Sequence, residues 1–193
     1  TADGNFRFTQ VDGSTYTLSG TDYDVPSWGK RVVGDINSSP DPSFIGKKIN
    51  DIFFHRNRLG FIADENVVMS RSGEFFHFFA ETVTDILDTD PVDVASTSKK
   101  VSILRHAISF DEDLLLFTDQ TQFMLTGGTT LTAGNVSINT STEYETSVGC
   151  KPIGAGSNVF FPFNKGNYTG IREFYVADDT GTKQADDLSL IHI

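Results

Sequence analysis

The stretch from Ile49 to Phe79 constrains the fold more than any other, because it packs three short apolar runs and two turn signals into one compact unit. Ile52-Phe53-Phe54 is followed by the polar break His55-Arg56-Asn57-Arg58. Leu59-Gly60-Phe61-Ile62 is followed by Asp64-Glu65-Asn66, and Val67-Val68-Met69 closes the set. Strands of this length, separated by Asn, Asp and Gly turns, predict a tight antiparallel meander over Ile49 to Met69, with turns near Asn57-Arg58 and Glu65-Asn66. The apolar runs are continuous rather than alternating, which predicts strands covered on both faces by neighbouring sheets. Phe54, Phe61, Leu115 and Phe160 are expected to be mostly buried in that core.

The same order recurs downstream. Val101 to Leu104, the Asp111-Glu112-Asp113 turn, Leu114 to Phe117, the Asp119-Gln120-Thr121 turn and Gln122 to Leu125 form a second copy. Val159-Phe160-Phe161, a polar loop from Asn164 to Gly170 and Ile171 to Val176 form a looser third. Pro91 to Ala95 and Val136 to Tyr144 supply fourth strands to the first two copies. Setting Leu59, Leu114 and Val159 in register gives repeat spacings of 55 and 45 residues, the order that propeller blades of roughly 40 to 50 residues produce. The expected fold is therefore all-β, with propeller-like blades of antiparallel meanders over residues 49–182 and a β-sandwich as the alternative arrangement. An N-terminal hairpin and a Pro/Gly-rich connector occupy 1–48, and 183–193 is a poorly defined end.

Phe6 to Val11, Asp12-Gly13 and Thr15 to Leu18 carry the hairpin signal, since Asp-Gly readily adopts the positive φ of a two-residue turn, and the alternating strands leave one face solvated. From Gly20 to Lys48, Pro26, Pro40 and Pro42 rule out a long helix or a central strand. This segment reads as a connector laid over the surface and anchored by Trp28 and Phe44.

Among the 193 residues are 17 Phe and a single Trp, so the core is aromatic. The net charge of −11 argues against a groove that grips nucleic acid, because phosphate contacts need clustered Lys and Arg. It leaves open a surface past which nucleic acid slides. Cys150 is the sole cysteine, which excludes an internal disulfide and a thiolate metal cluster. No apolar run approaches the ~20 residues that span a bilayer. The start at Thr1, without an initiator methionine, suggests a piece of a longer chain.

Four aspartates between Asp85 and Asp93 resemble half of a calcium loop, but without its central glycine or closing glutamate, and read as a solvated acidic loop entering a strand. His55, His77, His106 and His192 are scattered outside any metal pattern. Gly-x-Ser-x-Gly and phosphate-cradling loops do not occur. Ser70 to Phe76 resembles the Asp-box hairpin of sialidase-like propellers without its Asp and Trp. No catalytic, cofactor-binding or metal residue is assigned. The residues singled out are turn and brace positions: Arg56, Asn57, Arg58, Gly60, Asn66 and Arg71. Asn57 and Gly60 frame a turn, and the arginines hold neighbouring loop carbonyls or aspartates through forked hydrogen bonds.

Pro42 to Phe54, Arg56 to Phe61, Glu65 to Arg71, Phe76 to Phe79, Asp90 to Val94 and Gln122 to Leu125, with Leu131-Thr132 and Val159 to Phe161, together resemble the tail nozzle (tail tubular protein B) family of short-tailed podovirus bacteriophages. The resemblance runs from about Trp28 to Tyr175 and implies a fragment of a protein several times longer. It implies a β-propeller domain and a non-enzymatic virion tail subunit, assembled in the bacterial host cytoplasm. That subunit would form a homohexameric tube at the distal end of the tail, docked on an adaptor protein and carrying tail fibres. Viral DNA would leave through the tube without specific binding. The alternative from a different class is a propeller that binds or hydrolyses host surface polysaccharide, which would need a cleft with paired carboxylates ~5 to 9.5 Å apart.

Overall fold

A computed structural model describes residues 7–10, 16–19, 28–96, 102–177 and 180–190. It is built from antiparallel strands, with a single 3₁₀ turn at Leu188–Leu190 as the helical element among the described residues. β1 (Arg7–Gln10) and β2 (Tyr16–Ser19) pair as the expected hairpin, whose Asp12-Gly13 turn lies outside the described residues.

Three four-stranded meanders follow. Blade 1 is β3 (Ile49–His55), β4 (Arg58–Ala63), β5 (Asn66–Met69) and β6 (Val92–Ala95). Blade 2 is β7 (His106–Phe110), β8 (Asp113–Phe117), β9 (Gln122–Thr126) and β10 (Ser137–Thr142). Blade 3 is β11 (Ile153–Ala155), β12 (Asn158–Lys165), β13 (Tyr168–Val176) and β14 (Lys183–Asp187). Their second strands begin at Arg58, Asp113 and Asn158, which keeps the spacing of 55 and 45 residues. First strands adjoin, β3 beside β7 and β7 beside β11, and the fourth strand β10 lies against β6 and β14, so the sheets stack in chain order as propeller-like blades.

The middle sheet shows why its central strands lack alternation. Leu114 and Leu116 face blade 1 with Phe53, Ile62, Val67 and Met69, while Leu115 and Phe117 face blade 3 with Val159, Phe161 and Phe174. Side chains on successive residues of a strand point to opposite faces, so a strand between two sheets needs apolar residues throughout. The outer face of blade 1 is covered differently. Trp28 and Phe44, as expected of connector anchors, set their rings against Phe61 and Phe78, 5.2 to 6.2 Å between centroids.

Several expectations need correction. Phe54 is 63% exposed. β3 is an edge strand with alternating burial, so Phe53 enters the core and Phe54 points to the half-covered outer face. Phe160 is half-buried on the outer face of blade 3, whereas Phe61 and Leu115 are buried. The strand expected at Val101 to Leu104 is replaced by β7; Val101 is outside the described residues, and 102–105 approach blade 2 as irregular chain. The first two turns fall one residue early, at Arg56-Asn57 and Asp64-Glu65. In blade 3 the polar loop from Asn164 to Gly170 shrinks to a turn at Gly166-Asn167, because the β12 and β13 backbones stay paired out to Lys165 and Tyr168.

A Phe-Gly cross-strand pair appears in two blades. Phe53 lies opposite Gly60 and Phe163 opposite Gly170. A Cβ on either glycine would sit 2.2 or 2.4 Å from the ring. The missing side chain is what lets each ring lie flat over its neighbour.

Candidate functional site

The turn between β3 and β4 is the origin of the most densely bonded region. Arg56 and Asn57 both have positive φ, 45° and 60°, the two-residue geometry that matches the twist of a hairpin. Asn tolerates that conformation well; Arg does so at some cost, offset here by what its side chain reaches. Arg56 crosses to blade 2, where Nε donates to Glu112 O at 3.0 Å and Nη1 to Gly128 O at 2.6 Å. The Glu112 carboxylate is 3.9 Å from Nη2.

Arg58 is 2% exposed. Its terminal nitrogens donate to Ser70 O at 2.8 Å, Asp90 O at 2.6 Å, Asp88 O at 2.7 Å and Leu131 O at 3.1 Å, with a longer contact to Thr89 O. These acceptors come from the β5–β6 connection and from the loop between β9 and β10 of the next blade. Burial pulls the Arg58 pKa below that of a free guanidinium, and the nearby Asp90 carboxylate pulls the other way. The carbonyl cage replaces the water that a buried cation loses.

The remaining brace positions hold neighbouring chain. Arg71 pairs with Glu74 at 2.8 Å and with Glu81. Asn57 O accepts from Gly73 N at 2.9 Å, which ties the hairpin turn to that same connection. Asn66 accepts from Lys47 Nζ and donates to Asp93. Gly60 makes room for Phe53, as above.

Sequence reasoning missed a second set of bonds, along β3. Asp51, next to a register shift in that strand, accepts from Ala107 N at 2.9 Å and from Lys151 Nζ at 2.8 Å. Asn50 Nδ2 donates to Leu104 O at 2.8 Å. His55 Nδ1 lies 3.3 Å from Ser109 Oγ. Burial, with the Arg56 charge beside it, pushes the His55 imidazole down to about 4, so it stays neutral near pH 7. A lone Asp or His in a strand carries no pattern by which to foresee such a bond.

Between these groups lies an open cavity of about 670 Å³, lined by His55, Arg56, Asp88, Ser109, Asp111 and Glu112 among others, with no Phe, Tyr or Trp. A sugar ring would find none of those three ring faces to stack on. Among the described residues no group of three or more His, Cys, Asp or Glu is placed to hold a metal ion, and no helix is long and apolar enough to cross a membrane.

Stacked meanders stapled across their seam by carbonyl-caged arginines define a structural β-module, in which Arg56 and Arg58 are engaged in holding loops. Comparison with known proteins specifies it further. The family model for the bacteriophage nozzle protein matches residues 1–191. Tail tubular protein gp12 of Escherichia phage T7 is 36% identical over 189 residues, covering 97% of this chain and 22% of that protein. The chain belongs to the bacteriophage nozzle protein family and is a structural component of the virion tail. It spans about a fifth of the length of the T7 relative.

Proposed function

We propose that the chain is a non-enzymatic wall module of a tail nozzle, one of several copies, on the family expectation six, that surround the path of viral DNA during ejection. Its blades belong to a β-propeller domain, and the full subunit docks on a tail adaptor and carries tail fibres. The observation that carries this reading is the seam of blades 1 and 2. Arg56, Arg58 and Arg71, the cations best placed to grip phosphate, are already bonded to carbonyls and glutamates.

A conduit must not hold its cargo. A basic lining would gain counterion-release affinity at every phosphate and stall the duplex. The connections around the cavity, with Asp85, Asp88, Asp111 and Glu112, form the acidic end that we assign to the DNA path; Asp88, Asp111 and Glu112 themselves line that cavity. At physiological salt the Debye length is about 8 Å, which leaves repulsion effective at contact range.

The test is an anisotropy titration of the purified chain against random duplex DNA. No appreciable binding at physiological salt is expected; micromolar, salt-sensitive binding would overturn the non-stick conduit and turn the arginines from braces into phosphate contacts. Release of reducing sugar from host capsule or lipopolysaccharide, abolished by changing one Asp or Glu, would replace the structural reading with a glycosidase.

A further inference from the structure

The ladder between β3 and β4 is interrupted at its start. Ile49 pairs with Ala63 and Asp51 with Ile62, which leaves Asn50 out of register, and a bulge of this kind re-aims the side chains around it. Neighbouring side chains of a regular strand point to opposite faces. Here both reach the same stretch of blade 2: Asn50 Nδ2 donates to Leu104 O, and Asp51 Oδ2 accepts from Ala107 N. The other carboxylate oxygen, Oδ1, accepts from Ile52 N at 2.9 Å and from Lys151 Nζ at 2.8 Å. One carboxylate therefore takes bonds from blade 1, from blade 2 and from the chain about to enter blade 3.

Its two sides differ in strength. The Asp51 side chain is 11% exposed and that of Lys151 is 46% exposed. An ion pair half in water is screened by salt and contributes little, whereas a sheltered backbone bond is far less sensitive. Lys151 also lies in a thinly held segment. From Val148 to Ser157 every residue but Pro152 is exposed, and β11 pairs with β12 over three residues. Gly149 and Gly156 bracket it; a Cβ on either would meet no atom within 4 Å, and Gly156 has a φ of +63°. A cavity of about 530 Å³, lined by Phe110, Gly154, Gly156 and Asn158 among others, lies beside β11 and gives it room to move. Exposed backbone bonds and few buried contacts mark a segment that opens locally.

We propose that residues 149–156 form a strap, hinged at its two glycines and latched by the Lys151–Asp51 ion pair, so that ionic strength sets how often β11 leaves blade 3. The junction of blades 1 and 2 rests on the sheltered bond from Ala107 and stays closed when the latch opens. This inference does not depend on the tail role.

Cys150 is the sole cysteine and is exposed, so a nitroxide attached to it reports strap motion. In the parent chain, nitroxide mobility and hydrogen exchange of the Ile153–Ala155 amides should rise about two- to five-fold between physiological salt and ~1 M KCl, the factor that such an ion pair contributes. Exchange in β8 and β9 should stay constant. Lys151→Gln should give the fast values at both salt concentrations, and Lys151→Arg should restore the salt dependence. Salt-insensitive exchange in the parent would overturn the latch, as would a Lys151→Gln protein that behaves like the parent or a Lys151→Arg protein that behaves like Lys151→Gln. Exchange that rises in β8 together with β11 would overturn it too, since that is a general loosening of the blades and not a strap.

Discussion

Blades 1 and 2 meet across thirteen buried apolar residues together with side-chain bonds from Asn50, Asp51, Arg56 and Arg58, whereas blades 2 and 3 meet across eight buried apolar residues dominated by rings. In the second seam Phe110 stands edge-on to Phe174 at 5.2 Å and Phe117 lies 5.3 Å from Phe161. A cavity of about 530 Å³ opens there between β7 and the β11–β12 turn. The difference is one of specificity. Apolar contacts tolerate a slip of an ångström, while a donor must meet its acceptor near 2.9 Å and in line. The first seam is therefore pinned by side chains that cross it directly, while the second joins shape to bonds made through the β10–β11 connection, where Ser147 N donates to Pro162 O at 2.8 Å and His106 Nε2 lies 3.1 Å from Val148 O.

The sharpest way to break the comparison is Arg58→Met. It removes the donors of five backbone acceptors around a buried side chain, and should cost about 4 kcal/mol or more in a urea titration. An apolar replacement that leaves the midpoint unchanged would show that the cage is dispensable. Phe161→Ala, in the aromatic seam, should cost about 3 kcal/mol through lost transfer energy and the cavity left behind. Its signature should differ from that of Arg58→Met: blade 3 should loosen ahead of blades 1 and 2 in hydrogen exchange, where Arg58→Met lowers protection in both blades it joins.

Acid sharpens the contrast further. The His55 imidazole has its folded pKa depressed from 6.5 to about 4, so the unfolded chain takes up a proton first as pH falls. Stability contributed by neutral His55 is fully present above pH 6.5 and is lost progressively down to about pH 4, by about 3 kcal/mol. His55→Gln should flatten the pH dependence of the melting temperature across that window relative to the parent. The smallest effect belongs to Phe54→Ala, within about 0.5 kcal/mol, because that ring is mostly in water. A large loss there would mean that something packs on the outer face of β3.

What was legible in the sequence follows from how strongly each strand is buried. β4, β8 and β12 announce themselves as apolar runs at the repeat spacing because β4 and β8 have both faces covered and β12 buries Val159, Phe161 and Phe163. β7 hides because His106-Ala107-Ile108-Ser109-Phe110 buries only Ala107 and Phe110, while Leu104 next to it is fully buried without belonging to a strand. The Leu104 amide instead donates to Asp64 O. β14, with Ala185 as its one buried residue, is held by backbone pairing to β13 and has no hydrophobic pattern to read. At the seam, arginines bonded to loop carbonyls were foreseeable as a type of contact. Which carbonyls they meet, 12 to 73 residues away in sequence, is set by how the blades stack.

Those sequence separations bear on the order of assembly. The Arg58 guanidinium is satisfied only when residues 70, 88 to 90 and 131 have all come to it. Until the last arrives, water has to complete the shell of the cation. Closing contacts between residues 73 positions apart is among the slower entropic steps available to a chain this size. An early blade 1 hairpin is therefore unlocked on its own, and it becomes committed only when blade 2 delivers Leu131. The arginine works as a checkpoint in time as well as a brace in space, coupling the folding of one repeat to the arrival of the next.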